Sequence, residues 1–111
     1  MEKLVSYGTL KLEPVQLSTF GRKLHWYNDI LTGYRLSTLE IKDPNVIATS
    51  GQSSHPILKY TGNPLDIVDV IVFDITFQEL IQADAYEVSD YKRVSVKVNS
   101  GIYAWAYVSA V

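Results

Sequence analysis

The chain has 111 residues, a net charge of −2, 47% hydrophobic and 20% charged residues, and no cysteine. That length supports one domain, residues 1–111, with a core of its own but not two. The charge balance leaves no basic field for a phosphate backbone, so no nucleic acid partner is expected, and the missing thiols exclude disulfides, thiolate metal sites and cysteine nucleophiles.

The opening MEKLVSYGTL has no long apolar h-region, and no stretch of the sequence is long and apolar enough to span a bilayer. A cytoplasmic protein with no membrane partner is therefore expected. Eight tyrosines and two tryptophans suit pleated, half-buried surfaces, so the fold should be rich in strands. Lys3 to Ser6 read as a first strand running into Tyr7-Gly8-Thr9-Leu10, where Gly8 can take a positive φ or admit a close approach of backbone to ligand. Residues 13–21 read as a short helix, with Pro14 at its first turn and Gly21 as its C-terminal cap. Two aromatic or aliphatic runs fill residues 23–41, broken at Thr32-Gly33, and Tyr34 to Ile41 is a predicted strand.

Residues 42–66 change character. Pro44, Ser50, Gly51, Pro56, Gly62 and Pro64 punctuate a long excursion with short apolar pieces at Val46-Ile47 and Ile57-Leu58, a candidate lid holding up to two short strands. Ile67 to Ile75 is almost continuously apolar, the pattern of a strand covered on both faces. Thr76-Phe77-Gln78-Glu79 reads as a capping box opening a helix to about Tyr86, with Phe77, Leu80 and Ile81 as its buried stripe. Tyr91 to Val98 alternates, Asn99-Ser100-Gly101 is a hairpin signal, and Tyr103, Trp105 and Tyr107 share one face of a last strand.

Two constellations carry chemistry. The first is the strand, turn and helix around Tyr7-Gly8-Thr9-Leu10, because a tight turn before a helix offers backbone N–H groups to a carboxylate or developing oxyanion. A purely structural glycine turn is the alternative. The second is Asp84-Ala85-Tyr86-Glu87. Asp84 and Glu87 share a helix face; Asp84 lies towards the apolar stripe and needs partners. Glu87 falls at the negative end of the helix dipole, which raises the pKa of a carboxyl and suits a general acid/base near neutral pH. The alternative places Asp84 on a nearby hydroxyl or backbone group and Glu87 in water. His25 and His55 are isolated, without metal-ligand spacing. Lys92-Arg93 beside Tyr91 reads as a solvated strand edge. No G-x-S-x-G elbow and no Walker or Rossmann glycine pattern occurs.

In this order the motifs resemble the gamma-glutamylcyclotransferase-like family. The family pattern is a hydrophobic strand ending in Tyr-Gly-Ser/Thr-Leu, a central strand near Gly-x-Val-Phe-x-Ile, and a helix ending in Asp-x-Tyr-Glu before Tyr-x-Arg. Here these are Tyr7-Gly8-Thr9-Leu10, Val70 to Ile75, Asp84 to Glu87 and Tyr91-Lys92-Arg93. Phe20-Gly21-Arg22 and Leu31 to Leu36 look like bacterial members. Val70 stands where the family usually has glycine, and Ala83 where leucine is commoner. The resemblance implies an α+β fold, a small mixed β-barrel of about five to seven strands with two or more short helices. It also implies release of 5-oxoproline from a small-molecule γ-glutamyl substrate, with Glu87 catalytic and Tyr7, Gly8, Thr9, Leu10 and Tyr91 binding substrate. No metal or organic cofactor is implied. Two other readings are a non-catalytic small-molecule-binding or interaction domain of the same fold, and a hydrolase or lyase using Asp84 and Glu87 as paired carboxylates.

Overall fold

A computed structural model describes residues 1–40, 44–45, 54–87 and 90–110. Strand β1 (Glu2–Ser6) leads through a 3-10 turn (Thr9–Lys11) into helix α1 (Glu13–Phe20). Strands β2 (His25–Thr32), β3 (Tyr34–Glu40), β4 (Ser54–Tyr60) and β5 (Ile67–Ile75) follow, then helix α2 (Phe77–Tyr86) and strands β6 (Tyr91–Lys97) and β7 (Tyr103–Ser109). Five strands form one sheet in the order β2-β5-β1-β7-β6, and β3 and β4 form a separate hairpin. Among the described residues the β1–β7 pairing is parallel and the others are antiparallel.

The fold is barrel-like, but β2 and β6 are not paired, so the sheet does not close on itself. The β6–β7 turn spans the gap instead. Its Asn99 N–H donates to the Ile30 carbonyl at 2.9 Å, Thr32 donates to the Asn99 side chain at 2.9 Å, and the Ser100 hydroxyl donates to Asp29 at 2.6 Å. These bonds occupy polar groups that an edge strand would otherwise leave open to other chains. The turn bends at Gly101, whose φ of 98° is a conformation L side chains rarely adopt.

Apolar alternation along the strands builds two cores. Val5, Leu31, Leu58, Val68, Val70, Val72, Val96, Ala104, Ala106 and Val108 fill the concave side, under the β3–β4 hairpin. Leu4, Leu10, Val15, Phe73, Ile75, Leu80, Ala83 and Tyr107 pack between the sheet and the helices. Strand β5 contributes Val70 and Val72 to one core and Phe73 and Ile75 to the other, which is why its sequence is nearly all apolar. Burying each such side chain contributes roughly 1.5–3 kcal/mol.

Pro14 occupies the first turn of α1, and Gly21 closes it in the left-handed region with φ 73°. The capping box of α2 is complete: Thr76 accepts from the Glu79 N–H while the Glu79 carboxylate accepts from the Thr76 N–H. The buried arc of this helix differs from the predicted one. Phe77 is 65% and Ile81 51% exposed, whereas Glu79, Leu80 and Ala83 are buried. The cause is Arg22, just past α1, which donates two hydrogen bonds of 2.8 Å to the Glu79 carboxylate. That fork, added to the cap, turns Glu79 inward and rotates the two large apolar residues out. The arc then continues at helical spacing from Ala83 to Glu87, so the rotation aims Glu87 towards the sheet.

Ile57 and Leu58 lie within one seven-residue strand, β4, in place of a short fragment. Ile41 and, within the candidate lid of residues 42–66, residues 42–43 and 46–53 with the Val46-Ile47 piece lie outside the described residues, whereas residues 54–60 of that span form β4.

Candidate active site

Strand β1 crosses the middle of the sheet, and its last residues deliver the glycine turn to the end of α2. Val5, Ser6, Tyr7, Gly8, Leu10, Glu87, Tyr91 and Tyr107 line one cavity of about 30 Å³, set in a cleft of about 320 Å³ counted out to open solvent. Of the residues singled out in the sequence, Tyr7, Gly8, Leu10, Tyr91 and Glu87 therefore meet at one place. Thr9 starts the 3-10 turn between Gly8 and Leu10; its side chain lies outside the described set.

The turn is held from its carbonyl side. The Lys11 N–H closes on the Gly8 carbonyl at 3.2 Å. The side-chain amide of Gln16, buried in α1, donates to the carbonyls of Leu10 at 3.0 Å and Lys11 at 3.4 Å and accepts the Leu24 N–H at 3.0 Å. The first N–H groups of a short helix have no partner of their own within it. Three carbonyl-side contacts, on Gly8, Leu10 and Lys11, thus fix the turn and tie it to α1. Gly8 itself does not have a positive φ. Its need is for space: a Cβ there would lie 3.2 Å from Pro56 Cγ of β4.

Two tyrosines strap β4 over the same cavity. The Tyr7 hydroxyl donates to the Tyr107 carbonyl at 2.5 Å and accepts the Leu58 N–H at 3.2 Å. The Tyr91 hydroxyl donates to the Pro56 carbonyl at 2.8 Å. Burial raises the pKa of both phenols above the ordinary range, as it does for Tyr107, so all three hydroxyls keep their protons.

Glu87 is the C-terminal cap of α2, with its N–H on the Ala83 carbonyl at 3.1 Å. Burial, and then the Asp84 carboxylate three residues earlier, push its carboxyl up to about 8. The direction agrees with the sequence argument, but the cause is desolvation rather than the helix dipole. Asp84 has a different environment. Arg93 reaches it with two bonds of 2.8 and 3.1 Å, and the Tyr107 hydroxyl donates to it at 2.7 Å. Arg93 also lies 4.5 Å from the centre of the Trp105 ring. It is thus an ion-pair partner within the fold and not a solvated edge residue. Asp84 does not line the cavity, so only one of the two carboxylates is placed for proton transfer and the paired-carboxylate reading loses its geometry.

Sequence reasoning missed Tyr107 and Gln16. A half-buried carboxylate such as Asp84 calls for donors, and Arg93 and Tyr107 in the following strands supply them. Nothing in the weak apolar pattern of α1 marked Gln16. Val70 is buried in the concave core and does not line the Glu87 cavity, so the valine does not crowd it. Among the described residues no group of three or more His, Asp or Glu could hold a metal ion, and no helix is long and apolar enough to cross a membrane.

Residues 4–111 match the family described as gamma-glutamyl cyclotransferase, AIG2-like. The chain belongs to this family. Its fold is similar to that of an Arabidopsis thaliana protein known from a solution structure, with TM-score 0.72 and 23% identity over 97% of this chain and 61% of that one. An uncharacterized Pyrococcus horikoshii protein superposes with TM-score 0.67 and 18% identity, covering 100% of this chain and 80% of that one. A gamma-glutamyl cyclotransferase superposes with TM-score 0.76 and 16% identity, covering 98% of this chain and 66% of that one. The chain thus spans less than two thirds of the Arabidopsis protein and of that cyclotransferase. At these identities the superpositions speak for the fold. Among curated proteins the sequence finds no match.

Proposed function

We propose that this protein is a cytoplasmic gamma-glutamyl cyclotransferase that releases 5-oxoproline from a small γ-glutamyl amine or peptide without a cofactor. The observation that carries the reading is the meeting of Glu87, with a carboxyl near pKa 8, and the Gly8 turn across one cavity. In the ionised form Glu87 takes a proton from the α-ammonium of the substrate. The freed amine attacks the γ-carbonyl carbon of the same molecule, closes a five-membered ring and sheds its second proton to solvent. The amides of Gly8, Thr9 and Leu10 hold the oxygen that gains charge, or the α-carboxylate. As the bond to the leaving nitrogen breaks, Glu87 returns its proton there, and 5-oxoproline and a free amine depart. Tyr7 and Tyr91 wall the site while their hydroxyls hold β4 in place.

The chemistry asks little beyond orientation and proton movement. Holding intramolecular groups in line can contribute on the order of 7–11 kcal/mol. One positioned acid/base adds about 10²–10⁴-fold. The test is 5-oxoproline release from a panel of γ-glutamyl amines and γ-glutamyl amino acids, with Glu87→Gln beside the native protein. Release by the native protein, lost in a folded Glu87→Gln protein, supports the reading. Turnover that survives the substitution defeats it, and binding without release by the native protein makes this a binding module of the same fold.

A further inference from the structure

Among the described residues, four with hydroxyl side chains line the cavity that holds Glu87: Ser6, Tyr7, Tyr91 and Tyr107. Three of these hydroxyls are spent on the fold. Tyr7 donates to the Tyr107 carbonyl, Tyr91 to the Pro56 carbonyl and Tyr107 to Asp84. Ser6 differs. The residue is 3% exposed, and its hydroxyl has no hydrogen-bond partner among the described residues. No fully enclosed side-chain polar atom among them lacks a partner, so this hydroxyl opens into the cavity. A hydroxyl this enclosed costs free energy unless something accepts its proton. The proton transfers assigned to Glu87 do not use it.

The strand sets its direction. Side chains alternate along β1, so Ser6 projects from the same face as Leu4, which packs with Leu80 and Ala83 of α2, while Val5 fills the concave core. The cross-strand partners of Leu4 and Ser6, Phe73 and Ile71, pack on that face too. Glu87 caps α2 and reaches the cavity from the same side. A strand end and a helix end thus present two polar side chains to one space, with the Gly8 turn two residues beyond Ser6.

We propose that Ser6 is a substrate-binding residue whose hydroxyl donates to an oxygen of the α-carboxylate. The identity of that ligand rests on the cyclotransferase reading. In a γ-glutamyl group the α-carboxylate and the α-nitrogen share one carbon. With the nitrogen at Glu87, the carboxylate is the oxygen-bearing group nearest to it, and the γ-carbonyl at the other end of the chain is left to the amides of the turn. Among the described residues no Lys or Arg lines the cavity, so hydroxyl and amide donors must hold this charge. Hydrogen bonds to an ionised acceptor are the stronger kind, so one such donor is enough to discriminate. The site then selects ligands that carry a carboxylate on the carbon next to the nitrogen.

The experiment titrates 5-oxoproline, and 2-pyrrolidinone as the same ring without its carboxylate, into the native protein and Ser6→Ala by NMR. It also measures kcat and KM of both proteins for a γ-glutamyl amine. Alanine removes a hydroxyl that has no protein partner, so Ser6→Ala should fold with a Tm equal to or above that of the native chain. A much lower Tm would reveal a structural partner and overturn the proposal. In Ser6→Ala the binding of 5-oxoproline should weaken roughly ten- to hundredfold, while that of 2-pyrrolidinone does not change. KM should rise by a similar factor with kcat nearly constant, because the carboxylate carries the same charge before and during the reaction. Equal 5-oxoproline binding by the two proteins, no binding by the native one, or a loss that 2-pyrrolidinone shares overturns the proposal. A fall in kcat at constant KM puts the hydroxyl on the γ-carbonyl oxygen and overturns it as well. Ser6-dependent binding by a native protein that releases no 5-oxoproline upholds the role of Ser6 and refutes the cyclotransferase reading. Release of 5-oxoproline with binding indifferent to Ser6 does the reverse.

Discussion

Replacing Glu87 with glutamine should stabilise the protein, and increasingly so as the pH rises. The native carboxyl titrates near 8 in the folded chain against an ordinary 4.5. Between those two values the folded state binds a proton that the unfolded state has released. Stability therefore falls as pH rises through that window, by up to about 1.4 kcal/mol per pH unit, and levels off above it. Near pH 4 the two proteins should be nearly equal. At pH 7 the accumulated difference is on the order of 3 kcal/mol, which for a domain of this size moves Tm by roughly 10 °C or more. The assay is thermal or urea unfolding of both proteins at pH 4.5, 6, 7 and 8.5. A Glu87→Gln protein that is no more stable at pH 8.5 than the native one, or a difference that does not change with pH, would falsify the claim that burial raises this carboxyl. A stabilised but inactive variant has a plain meaning: the fold sacrifices stability to keep an ionisable group in a dry place.

Other outcomes follow from the same geometry. With Glu87 acting first as base, log kcat/KM should climb with a slope near one up to an apparent pKa of about 8 and then flatten; a profile with its limb near pH 4.5 would contradict the burial argument. Tyr7→Phe deletes the acceptor of the buried Leu58 N–H and should destabilise the chain by about 1–3 kcal/mol in urea unfolding, with β4 amides exchanging faster in hydrogen-exchange measurements. Gln16→Leu leaves the Leu24 N–H and the Leu10 carbonyl unpaired; it should also cost about 1–3 kcal/mol and raise KM, since the turn loses its brace. Leu80→Ala, which opens a hole between α2 and the sheet, should cost about 2–5 kcal/mol while leaving the pH limb where it was.

The strand-rich α+β fold was readable because its signals are local. The apolar run of β5, the alternation of β6, the turn at Asn99-Ser100-Gly101 and the capping box at Thr76 each fix an element through neighbouring residues alone. The rotation of α2 was not readable. By size Phe77 and Ile81 look buried, yet a long-range fork from Arg22 to Glu79 reverses that, and no local pattern encodes an ion pair between residues 22 and 79. The partners of Asp84 were half legible: its need for donors followed from its place on the helix, but which donors depended on how β6 and β7 run past α2. Gly8 shows a related limit. Its presence was evident, but the reason for it, a nearby Pro56, comes from a strand some fifty residues away and not from its own φ. Chain closure through Asn99 and Ser100 onto β2 was likewise invisible, because hydrogen bonds between a turn and a sheet edge leave no periodic trace.

The most direct measurement is the structure of the Glu87→Gln protein bound to a slowly reacting γ-glutamyl amine. The account places the γ-glutamyl group between residue 87 and the turn, with a substrate oxygen accepting from the amides of Gly8, Thr9 or Leu10 and the α-nitrogen beside the substituted side chain. A γ-glutamyl group bound elsewhere, or with its α-nitrogen facing away from residue 87, would contradict it.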